Sequence, residues 1–158
     1  MRQHSTPSLS GRSQDRGLTL VELMVGLAVM AVLVAVTVPS LSGIFNRMRL
    51  TGVANELASD LQFARTEAVR RRAAVVLQPA AGGYRITSAG LVLKDVGFAR
   101  GLSFAESTVI NFDQLRATST PATLVLSNDA GTMRVQVNAM GRVALCSPAG
   151  ALPGYTPC

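Results

Sequence analysis

The sequence predicts an α+β protein in which one long N-terminal α-helix, transmembrane in its first half, packs on a small antiparallel β-sheet domain. Three observations predict it. Residues 18–38 are almost wholly Leu, Val, Ala, Met and Gly, with Glu22 the one charged residue. Past Pro39, apolar residues recur at steps of three and four from Leu50 to Ala68, and three arginines close the run at Arg72. Beyond Arg72 the pattern changes to short β-prone runs separated by glycine-bearing turns.

Residues 1–17 are rich in Ser, Arg and Gln and have no apolar period, which predicts a polar leader on the cytoplasmic side. Arg2, Arg12 and Arg16 precede the apolar run. By the positive-inside rule the C-terminus then lies outside the cytoplasm. A bilayer core of about 30 Å takes roughly 20 apolar residues in a helix, so a span over about residues 18–41 is expected. The competing reading is an ordinary secretory signal. Signal cores run about 7–15 apolar residues, and no clear small-x-small cleavage site follows Val38. A carboxylate inside a span costs about 2.5–3.5 kcal/mol on insertion scales, so Glu22 needs a partner and a purpose.

The second half of the helix is amphipathic. Leu50, Val53 or Ala54, Leu57, Leu61, Ala64 and Ala68 define one apolar face. Asn55, Glu56, Asp60, Arg65, Glu67 and Arg71 define a wet one. Arg70, Arg71 and Arg72 close the helix, where cations suit its dipole. Helical throughout, residues 18–72 measure about 80 Å at 1.5 Å per residue. Pro39 removes one backbone hydrogen bond and is expected to kink or loosen the helix.

Residues 73–158 read as a β-rich domain. Candidate strands are 74–79, 84–88, 91–93, 109–112, 122–127, 133–137 and 142–146, with turns at Gly82-Gly83, Ala89-Gly90, residues 128–131 and Met140-Gly141. The last two strands form a hairpin over residues 138–141. Roughly 85 residues is near the lower end of comfortable stability for a domain, and a disulfide would help. Cys146 and Cys158, the only cysteines, bound a Pro/Gly-rich tail and are expected to pair in an oxidising compartment.

Composition excludes more than it assigns. The net charge is +6; removing residues 1–17 takes away three arginines and Asp15 and leaves +4, a mild excess. The only histidine, His4, lies in the leader, so the rest has no Ser-His or Cys-His pair and no His-containing zinc site. Phosphate-binding and dinucleotide-binding glycine motifs are absent. Neither an enzyme nor a cofactor is expected.

The order of features resembles the type IV pilin-like superfamily: a short basic leader ending in Gly17, an apolar Leu18, Glu22 as fifth residue of the mature chain, an uninterrupted apolar helix, and Pro39. The resemblance implies cleavage between Gly17 and Leu18 by prepilin peptidase and N-methylation of Leu18. It places the chain in the inner membrane with a periplasmic domain, and in a filament after assembly. Glu22 is then expected to pair with the freed α-amine of a neighbouring subunit and set axial register. Within the superfamily, residues 61–71 and 141–146 resemble the GspH/FimT group of minor pilins and pseudopilins. That implies a structural subunit that helps initiate or cap a filament, with other minor and major pilins as partners through the N-terminal helix.

Two competing functions follow from the same residues. One is a minor pseudopilin of a type II secretion system; neighbouring genes separate it from the pilus. The other is a DNA-binding minor pilin for natural transformation. Some FimT-type members bind DNA through a GRxR motif, and this chain has Gly141-Arg142 without the second arginine. Arg134 would supply a nearby charge if its strand pairs with that of Arg142, with Arg85, Arg100 and Arg116 joining. Such contacts would be salt-sensitive and sequence-independent.

Overall fold

Thr19 opens the one long helix: its hydroxyl accepts the Glu22 N–H at 3.2 Å and its carbonyl accepts the Leu23 N–H at 3.1 Å, an N-cap. The computed structural model describes residues 19–148 and 152–158, with backbone alone for 37–41. Helix α1 runs Leu20–Arg71. It crosses the boundary between two compact units, Met1–Val38 and Pro39–Cys158. The leader, Gly17 and Leu18 lie outside the described residues, as does the side chain of Pro39.

In the first unit the side chains of residues 20–36 are exposed all round, apolar on every face except at Glu22. A helix apolar all round is one made to be covered. Among the described residues no helix is long and apolar enough to cross a membrane. The expected span also takes in Leu18 and residues 37–41, whose side chains are not described.

In the second unit α1 buries Leu50, Ala54, Leu57, Leu61, Ala64 and Ala68, the face read from their spacing. The helix ends in a Schellman motif: Ala73 N–H reaches the Ala68 carbonyl at 3.3 Å and Arg72 N–H the Val69 carbonyl at 3.2 Å. Arg72 sits at φ 51°, the left-handed position that glycine usually fills.

Eight strands follow, all antiparallel: β1 (Val75–Ala80), β2 (Gly83–Ser88), β3 (Leu91–Gly97), β4 (Ser103–Glu106), β5 (Ile110–Phe112), β6 (Ala122–Asn128), β7 (Gly131–Val137) and β8 (Val143–Cys146). They form two four-stranded sheets, ordered β3-β2-β1-β5 and β4-β6-β7-β8. The sequence predicted neither the division nor β4. That strand is four residues long and pairs with β6 through a register shift, too short and irregular for a period-two pattern. The expected β7–β8 hairpin is present, with Val137 opposite Val143.

The inner faces of both sheets close on the helix. Leu77, Ile86, Ile110 and Phe112 come from the first sheet, and Leu124, Leu126, Met133 and Val135 from the second. Each large side chain so buried is worth about 1.5–3 kcal/mol. The rings of Tyr84, Phe98 and Phe104 pack in sequence, with centroids 6.0 and 5.0 Å apart, and tie the two sheets together.

Two acids read as wet are buried. Asp60, 7 % exposed, accepts the Tyr84 hydroxyl at 2.6 Å and the Lys94 ammonium at 2.6 and 2.8 Å. Burial, then the hydrogen bond to Asp60, pushes the Tyr84 hydroxyl pKa far up; the same carboxylate raises that of Lys94. Glu67 accepts from Arg70 and Arg71, and these hydrogen bonds hold its pKa down to about 2. The periodicity placed these side chains on the polar side of the helix, but their partners carry them under cover.

Candidate functional site

Two regions are built around residues that the sequence singled out, Glu22 in one compact unit and Gly141-Arg142 in the other. In the first, Glu22 stands in the opening turn of α1, where a carboxylate suits the helix dipole. The Thr19-x-x-Glu22 spacing is that of a capping box, of which the Thr19 half is formed. The Glu22 side chain is exposed and makes no ion pair among the described residues. Its surroundings are the apolar side chains of residues 20–36.

The second region is the end of the β-rich unit reached by the last turns of α1. Two turns meet there. In the 113–118 turn, the Asp113 carboxylate accepts the Leu115 and Arg116 N–H groups at 3.0 and 3.1 Å. These bonds lower its pKa. In the 138–142 turn, the Asn138 side-chain oxygen accepts the Met140 and Arg142 N–H groups at 3.0 and 2.9 Å. Ser119 ties the two, its N–H donating to the Ala139 carbonyl and its hydroxyl to the Asn138 carbonyl. Both turns are therefore held by their own polar groups before anything binds.

Gly141 is the contact point with the helix. It is buried at φ +69°, and a Cβ there would stand 2.6 Å from the Ala117 carbonyl oxygen and 3.0 Å from Arg65 Nε. Arg65 Nε itself donates to that carbonyl at 3.4 Å. Arg142 follows, exposed, beside a shallow groove lined by Gln62, Arg65, Thr66 and Val143.

The condition set for Arg134 is met, and the ladder fixes how far it stands from Arg142. Their strands do pair and the two residues share a face, but Arg134 lies opposite Cys146 while Arg142 closes the turn on Asn138. Four residues of strand separate them, about 13 Å at 3.3 Å per residue. Arg134 is half-buried, its Nε unpartnered among the described groups. Arg85 pairs with Asp95 at 2.6 Å on the other sheet. Arg100 lines a cleft with Arg49 and Gly52, near the start of the helix's buried face. Of the proposed set, only Arg116 lies on the turn whose Ala117 carbonyl meets Gly141, the residue before Arg142. The arginine that sequence reasoning missed is Arg65; its place on the polar face was legible, its partner far along the chain was not.

Cys146 and Cys158 are joined, with Cα atoms 5.0 Å apart. The tail does more than close a loop. Leu152 is 2 % exposed within the core, and the Tyr155 hydroxyl accepts from Asn55 of α1 at 2.8 Å. Among the described residues no cluster of His, Cys, Asp and Glu could hold a metal ion.

Comparison with known proteins agrees with this layout. The profile of the family described as "Type II transport protein GspH" matches residues 53–141, and that of the "Prokaryotic N-terminal methylation motif" matches residues 12–38. The pilin-like protein PilA1 of Thermus thermophilus is 34% identical over 154 residues, covering 82% of this chain and 97% of the relative. Two crystal forms of the type IV minor pilin FimU of Pseudomonas aeruginosa share the fold. One has a TM-score of 0.53 at 24% identity over 71% of this chain and 98% of FimU; the other, 0.52 at 23% over 67% and 98%.

Proposed function

The chain belongs to the type IV pilin-like superfamily as a GspH/FimT-type subunit, and from that premise we propose that it is a minor type IV pilin that helps initiate or cap a filament. It is a structural subunit and not an enzyme, and its family implies association with other pilin-type subunits and with the prepilin peptidase. The leader is cut between Gly17 and Leu18, residues 18 to about 41 hold the chain in the inner membrane, and the β-rich domain faces the periplasm. On assembly the apolar helix leaves lipid for the packed helices of neighbouring subunits, and Pro39 falls where the two environments meet.

The observation that supports this most is the start of α1, where apolar side chains are exposed all round and a single carboxylate heads them. A neighbour's freed α-amine is the group that would neutralise Glu22 in a water-poor assembly, where either charge alone is expensive. The experiment is Glu22→Ala in cells with the processing peptidase. Leader cleavage is expected to proceed normally while incorporation into filaments is lost. Normal incorporation would remove the assembly role, and retention of residues 1–17 in wild-type cells would remove the pilin reading itself.

The family profile over residues 53–141 carries the name of type II transport and favours a second reading, a pseudopilin that drives secretion. A deletion strain separates the two. Loss of surface pili with normal exoprotein secretion supports the first, and the reverse supports the second.

A further inference from the structure

The excess charge of the mature chain is gathered at one end of its β-rich unit. Arg65, Arg70, Arg71, Arg72, Arg116 and Arg142 stand there against two acids, Glu67 and Asp113, which leaves this end four positive. The rest of the mature chain carries six cations and six acids and is neutral. Both acids at this end are already engaged, Glu67 by Arg70 and Arg71 and Asp113 by backbone N–H groups. Among the described residues the guanidinium groups of Arg65, Arg116 and Arg142 form no salt bridge, although Asp113 holds the Arg116 backbone N–H.

Apolar side chains stand out between these arginines. Leu115 is 81 % exposed, Met140 68 % and Val69 49 %. The first two are the tips of the two tied turns, whose bases meet at Ala117, Gly141 and Arg65. Every cation here is arginine, whose planar fork suits carboxylates and loses little freedom when it engages them. Arg and Met are also enriched where protein interfaces bury their centres. The turns are held in place beforehand, so docking would order little.

We propose that this end of the domain, with Leu115 and Met140 as apolar anchors and Arg65, Arg116 and Arg142 around them, docks an acidic protein surface on an adjoining filament subunit. The proposal rests on the reading of the chain as a pilin-type subunit and adds which face meets the partner and what chemistry the partner presents. A phosphate backbone fits the arginines but leaves both apolar tips uncovered. Neither turn carries an aromatic ring on which bases could stack. A carboxylate-rich protein surface with an apolar centre satisfies the arginines and tips together.

The test uses the full chain in cells that assemble filaments, with p-benzoylphenylalanine in place of Leu115 or Met140 for photocrosslinking. The expected adduct is with another pilin-type subunit, joined at a peptide that carries Asp or Glu. Arg116→Gln with Arg142→Gln, and separately Leu115→Ser with Met140→Ser, should each lower adduct formation from the unaltered tip or from Val69 at least fivefold. Exchanging acids of the mapped peptide for Lys, against Arg116→Glu with Arg142→Glu, should restore it. Tyrosine fluorescence unfolding of each variant confirms that the domain remains folded. An adduct unaffected by either pair overturns the proposal. So does retardation of a 30-base-pair duplex by the purified chain that falls with the arginine pair and ignores the apolar pair, which would assign the surface to nucleic acid. If Glu22→Ala blocks incorporation while these variants do not, the pilin reading stands and this surface alone fails.

Discussion

Replacing Gly141 by Ala should cost about 2–5 kcal/mol, and the sum can be separated into parts. An L-residue at φ +69° carries a left-handed penalty of about 1–2 kcal/mol. The added methyl would then stand 2.6 Å from the Ala117 carbonyl oxygen and 3.0 Å from Arg65 Nε. Arg65 can swing away, but the carbonyl belongs to a turn already closed by Ala117 N–H on the Asp113 carbonyl. Pushing such a group aside is overpacking, worth about 1–3 kcal/mol. Gly90 provides the control. It sits at φ +81° with nothing within 4 Å of its Cβ position, so Gly90→Ala pays the conformational part alone.

Tyrosine fluorescence during urea unfolding is a selective readout. The chain has no tryptophan, and both tyrosines, Tyr84 and Tyr155, belong to the β-rich unit. With a slope of about 2 kcal/mol per molar urea, Gly141→Ala should lower the midpoint by about 1–2.5 M. Gly90→Ala should lower it by no more than about half as much. Equal shifts for the two would mean that the contact of Gly141 with Ala117 and Arg65 is absent in solution.

Arg72→Gly should raise stability by about 1 kcal/mol, since the Schellman position at φ 51° now holds a side chain that glycine would spare; an unchanged or lower urea midpoint counts against that geometry. Cys146→Ser with Cys158→Ser should cost about 3 kcal/mol for a loop of separation 12 and expose Leu152 to exchange; two reactive thiols in protein from the periplasm would mean that the bridge does not form there. Acid titration should show stability held by Glu67 fully present above its ordinary value of 4.5 and lost as pH falls from there through about 2, because its folded-state pKa is the lower one. Glu67→Gln should flatten that part of the slope, and an identical acid slope in the variant rules the Arg70 and Arg71 contacts out as its source.

Periodicity made the helix legible because a face buried against two sheets must repeat every three or four residues. Leu50, Ala54, Leu57, Leu61, Ala64 and Ala68 all lie on it. Hairpins were legible for a similar reason: glycine at residues 83, 90, 131 and 141 marks places where the chain reverses. Partnership was not legible. Asp60 and Glu67 read as solvated because a carboxylate's own letter says nothing of the Lys94, Tyr84, Arg70 and Arg71 groups that let it be covered. The full extent of β3 was hidden likewise, since Lys94 and Asp95 interrupt its apolar run and are carried by Asp60 and Arg85.

The placement of Arg142 shows where local pattern ends and packing begins. Strand pairing alone would put it in line with Arg134, and it does, yet four residues of ladder keep the two apart. What brings another arginine beside it is the absence of a side chain at Gly141, which lets the turn close on α1 at Arg65. Tip and helix end thus share one contact, and the separation of Leu115 from Met140 depends on it. A folded Gly141→Ala chain has to displace either its own turn or that of Ala117, and each displacement moves one tip against the other. Crosslinking from Met140 should therefore fall more steeply in that variant than its loss of stability alone would require, whereas Gly90→Ala, remote from both turns, should leave crosslinking intact.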